Sequence, residues 1–89
     1  MMTKDQILDE LTERNLLTPN MQVILVEGFE DAFIGISHEK LPKAVYDYWI
    51  CLDLLIQRDK MEFDNAVDDL DEFINQDLGK QTPIYLKAI

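Results

Sequence analysis

Ala32-Phe33-Ile34-Gly35-Ile36-Ser37 and, beyond the polar stretch 38–43 with Pro42 in it, Ala44-Val45-Tyr46 are short apolar runs rich in aromatic and β-branched residues. Two such runs joined by a polar, proline-bearing turn predict a β-hairpin. Asp47 follows as a helix cap, and Tyr48 to about Arg58 then reads as a helix. In that helix Trp49, Ile50, Cys51, Leu52, Leu54, Leu55 and Ile56 leave only Asp53 and Gln57 as a polar stripe. A helix apolar nearly all round must be covered on more than one side. In 89 residues that means either a central helix enclosed by the chain itself or one sharing a face with a second copy; with Trp49, Leu52 and Ile56 flanking one side of the stripe, the second predicts a homo-oligomer.

Outward from this centre, Thr3-Lys4-Asp5-Gln6 has the form of a capping box and opens an N-terminal helix that carries Ile7, Leu8, Leu11 and Leu16 towards one face. Thr18-Pro19 closes it, because the residue before proline avoids helical angles. Residues 19–27 read as a short helix stopped at Gly28, although Val23 to Val26 suit a buried strand equally well. On the other side, a helix from about Glu62 to Leu78 places Phe63, Ala66, Val67, Leu70, Phe73, Ile74 and Leu78 on one stripe, with Gly79 as its C-cap. Thr82-Pro83-Ile84-Tyr85-Leu86 is a terminal strand in which Pro83, lacking an N–H, marks the beginning or a sheet edge. The expected fold is α+β, with a small, mainly antiparallel three-stranded sheet packed against helices. One domain, 1–89, comprises a helical N-terminal extension, 1–28, and an α+β core, 29–89.

The 89 residues, 47% of them hydrophobic with three glycines and three prolines, describe a folded globule with room for one modest core. The lone Cys51 excludes an internal disulfide and a multi-cysteine zinc site, and nothing at the N-terminus resembles a signal peptide, so the expected location is the cytoplasm. Val23–Val26 and Leu54–Ile56 are the longest wholly apolar runs and fall far short of the ~20 residues that span a bilayer. Eighteen acidic against eight basic residues leave a net charge of −10, which repels phosphates and anionic membranes. Direct nucleic-acid binding is therefore not expected.

Phe29-Glu30-Asp31-Ala32-Phe33-Ile34-Gly35-Ile36, Ala44-Val45-Tyr46-Asp47-Tyr48 with Cys51 soon after, Phe73-Ile74-Asn75 and Thr82-Pro83-Ile84, in this order, resemble a family of small uncharacterised proteins of bacteriophages and prophages. The resemblance covers about residues 29–86. After Asn75, where family members carry small residues, this chain reads Gln76-Asp77-Leu78, and its N-terminal helix is an addition. The resemblance implies a phage-related origin, hence the host cytoplasm, and no known enzymatic activity; it carries over no functional residue.

From Met61 to Gly79 there are seven carboxylates and no lysine or arginine. Asp64, Asp68, Asp69, Asp71 and Glu72 form the centre of this run, and Asp68 has acids at i−4, i+3 and i+4, a repulsion of a few tenths of a kcal/mol per pair. Two readings stand: a carboxylate surface that docks a basic, nucleic-acid-binding protein by mimicking a nucleic acid, or a solvated face. Asp68-Asp69-Leu70-Asp71-Glu72 fits the D-D-x-x-D/E magnesium pattern of isoprenoid synthases, but those enzymes need a large helical cavity. Asp64 to Asp68 lacks the alternating ligands and turn glycine of a calcium loop. His38 is the sole histidine, and a Cys51–His38 pair would need a cysteine of an apolar helix to reach the hairpin, where a core role suits it better. Tyr46, Tyr48 and Trp49 offer an aromatic patch, or large side chains for a small core. The expectation is a non-enzymatic chain without cofactor or metal that binds a basic protein; its competitor is a self-assembling structural or scaffold module whose acidity only keeps it in solution.

Overall fold

The computed structural model describes residues 3–16 and 22–89. Helix α1 spans Lys4–Glu13 and opens on the expected capping box, in which Thr3 Oγ1 accepts the Gln6 N–H and Gln6 Oε1 accepts the Thr3 N–H. It ends earlier than Thr18-Pro19, which lies outside the described residues. Asn15 adopts the left-handed region (φ 58°), and the Leu16 and Asn15 N–H groups return to the Leu11 and Thr12 carbonyls. Such an arrangement is a Schellman motif, with asparagine in the place usually taken by glycine.

The short helix expected over 19–27 is not formed in its described part. Residues 22–26 are neither helix nor ladder strand. Their backbone is held by distant side chains: the Val26 N–H donates to the Tyr46 hydroxyl (2.8 Å), and the Arg58 guanidinium donates to the Gly28 carbonyl. Gly28 itself sits at φ 97°, where a side chain would be strained. Among the described residues of the N-terminal segment, only Lys4–Glu13 is α-helical.

After a 3-10 turn at Glu30–Ala32, strand β1 (Phe33–Ile36) and strand β2 (Ala44–Asp47) form the expected antiparallel hairpin, with Phe33 opposite Tyr46 and Ile36 opposite Ala44. A bulge at Ile34 lets Phe33 and Ile36 share one face although they are three residues apart. Asp47 Oδ1 accepts the Ile50 N–H and caps helix α2, Tyr48–Gln57. Helix α3, Phe63–Ile74, follows, and strand β3, Ile84–Leu86, then pairs in parallel with β2. The order β1-β2-β3 puts β3 at an edge, with Pro83 just before it. The result is an α+β fold, antiparallel at the hairpin and parallel where residues 48–83 cross over.

Helix α3 stops before the expected Leu78. Asp77 Oδ1 accepts the Gly79 N–H and Thr82 Oγ1 accepts the Leu78 N–H, so side chains take the donors that another helical turn would need. Gly79 (φ 97°) serves this turn instead of capping the helix.

The core sits between the helices and one face of the sheet. Tyr46, Cys51, Ala66 and Leu70 are fully buried there with Phe29, Ala44, Tyr48, Leu52 and Leu55. Tyr46 links the strands, edge-on to Phe33 (5.8 Å) and stacked on Tyr85 (5.8 Å). A smaller cluster, Ile7 and Leu11 of α1, packs on Phe33 and Ile36 and joins the main core through Val23 and Leu25.

Candidate functional site

Helix α3 is fixed by Ala66 and Leu70, both wholly buried, and by half-buried Val67, Phe73 and Ile74. The 3.6-residue period then turns Asp64, Asp68 and Glu72, an i, i+4, i+8 row, away from the core with Asp71 beside it. All four are exposed, whereas Asp69 is half-buried on the shoulder of the helix. Asp77 leaves this surface, because the helix ends before it. Among the described residues none of these acids forms an ion pair; the cations that do pair choose Glu10, Glu39 and Asp59. Arg58 donates to Asp59, which raises the guanidinium pKa and lowers that of the carboxyl. At the head of the acidic row Phe63, expected in the core stripe, is 61% exposed because it precedes the first packed turn. Leu78, beyond the helix end, is exposed as well.

The trio expected at an oligomer interface is split. Leu52 is buried in the chain's own core and is not available to a partner, whereas Ile56 is half-buried against that core and keeps part of its surface beside Trp49. Trp49 remains about half exposed, its indole N–H donating to the Ala88 carbonyl (3.0 Å) and the Lys87 ammonium lying 5.8 Å from its ring. Of the three aromatic residues at the strand-to-helix corner, Tyr46 and Tyr48 are core.

Cys51 is fully buried, and burial pushes its thiol up to about 12, far from a nucleophile's range. His38 stands in the exposed hairpin connection, beside a shallow cavity that Asn15, Leu16 and Pro42 also line. Among the described residues no group of three or more histidine, cysteine or carboxylate side chains is arranged to hold a metal ion. No helix among them is long and apolar enough to cross a membrane.

Sequence reasoning missed one surface. Ile34, Ile84 and Leu86 are exposed, and half-buried Val45 belongs to neither core cluster. The period-2 alternation around Tyr46 was the available signal, since it sends Val45 to the opposite face. Compared with known proteins, the chain matches no family model, and no curated protein or solved structure is significantly similar to it.

Proposed function

We propose that this chain is a non-catalytic accessory protein of the phage type whose α3 face docks a basic, nucleic-acid-binding protein, acting as a nucleic-acid mimic that inhibits it. The reading rests on one observation: Asp64, Asp68, Asp71 and Glu72 are exposed on a single rigid helix face, without a cationic partner among the described residues. Like charges so placed cost the isolated helix a few tenths of a kcal/mol per pair, a penalty that a cationic partner would reverse. Exposed Phe63 adds an apolar anchor at one end of the row. Charge steering makes such docking fast and sensitive to salt.

The test compares two variants of equal charge. In one, Asp64, Asp68, Asp71 and Glu72 become amides; in the other, exposed Asp5, Asp9, Glu13 and Glu27 do. Binding to a lysine-rich helical peptide as probe should fall at least about tenfold, with a shallower salt dependence, for the α3 variant alone. Equal losses would reduce the interaction to net charge and overturn the reading.

A further inference from the structure

We propose that the outer face of the sheet is a self-association surface, on which two copies of this chain stack sheet to sheet about a two-fold axis near Val45. Helices α2 and α3 pack on the Tyr46 face, while the end of α1 borders the edge strand β1, where Glu10, Arg14 and Leu16 line a shallow cavity with Ile34 and Gly35, and Val45 is half-buried between its neighbouring strands. On the outer face, Ile34 and Leu86 are about half exposed and Ile84 is 37% exposed. A Cβ added at Gly35 would meet no atom within 4 Å, which marks open space over the hairpin.

Charge indicates what covers this face. The stretches that build the sheet, 33–47 and 78–89, carry four lysines (40, 43, 80, 87) against two carboxylates (39, 47), leaving sixteen of the eighteen acids and four of the eight cations elsewhere. A basic partner has little to attract it here, and a second copy meets little like-charge repulsion. The outward row of the central strand reads Lys43, Val45, Asp47: cation, apolar, anion. Antiparallel stacking about Val45 sets each Lys43 against the partner copy's Asp47, a self-complementary pattern that only an identical chain matches in full. The Lys43 ammonium is held only loosely by Glu39, at 3.7 Å, and Asp47 uses Oδ1 for the Ile50 cap, so each keeps capacity for the second copy.

Three short strands about 5 Å apart cover on the order of 200 Å², well below the ~800 Å² per partner of a standard interface. The dimer is therefore reversible.

Sedimentation equilibrium of the full chain from micromolar to millimolar concentration should show a monomer–dimer equilibrium. Added salt should strengthen it, as screening relieves the remaining repulsion between two chains of charge −10. Val45→Lys should weaken it at least about tenfold, while Asn65→Lys, the same charge change on exposed α3, should not. With circular dichroism confirming fold, Val45→Cys should be cross-linked by a bis-maleimide of about 10 Å span, the spacing of stacked sheets, faster than Asn65→Cys. Buried Cys51 stays silent as the wild-type control. A monomer at every concentration, a dimer indifferent to Val45→Lys, or equal cross-linking at the two positions would overturn the proposal.

Discussion

Cys51 and Tyr85 are kept neutral by burial, which raises both groups in the folded chain to about 12, from ordinary values of 9.0 and 10.0. The unfolded chain gives up these protons first. Stability is therefore fully present below about pH 9 and is lost progressively as pH rises towards 12. The loss should be on the order of a few kcal/mol, chiefly from Cys51, because Tyr85 is only half-buried and its share is reduced by solvent. Urea unfolding between pH 8 and 11 should show about this decline. Cys51→Ala should flatten it, Tyr85→Phe should do so less, and a profile of unchanged slope in Cys51→Ala would mean that the thiol reaches water in the folded state.

On helix α3 the same four amides that test docking also test what the acids do for the helix. Removing the Asp64, Asp68, Asp71 and Glu72 charges relieves repulsion and keeps shape, so chemical denaturation should show stability unchanged or higher by a few tenths of a kcal/mol. A fall of more than about 1 kcal/mol would mean that these carboxylates have cationic partners within the chain. The exposure of this row was legible in the sequence because a helix period needs no tertiary knowledge. So were the Thr3 and Asp47 caps and the hairpin, whose partners all lie close along the chain. What was not legible depends on distant groups. Val26 gives its N–H to Tyr46 instead of a helical carbonyl, Thr82 intercepts the end of α3, and Leu52 lies on the core side of α2 through packing alone. The direction of β3 was hidden for the same reason, being set by two intervening helices.

At the scale of the whole molecule, charge and apolar surface are segregated: acids along the exposed side of α3, and apolar Ile34, Val45, Ile84 and Leu86 on the sheet face turned away from the α2–α3 core. Docking through α3 weakens with salt and stacking through the sheet strengthens with it, so one salt series separates the two surfaces. The parallel pairing of β3 with β2 bears also on how quickly the fold is reached. The hairpin and the α2–α3 pair bring together neighbours along the chain, but β3 meets β2 only after the whole of 48–83 has closed into a loop. We expect β3 to dock last. In stopped-flow measurements Tyr85→Ala should accelerate unfolding and leave refolding nearly unchanged, while Ala44→Gly in the hairpin should slow refolding; a slowed refolding limb for Tyr85→Ala would place β3 in the nucleus instead. Until that final step the central strand has one bare flank of amide and carbonyl groups, so a crowded refolding mixture should aggregate within a brief window that closes when Tyr85 stacks on Tyr46.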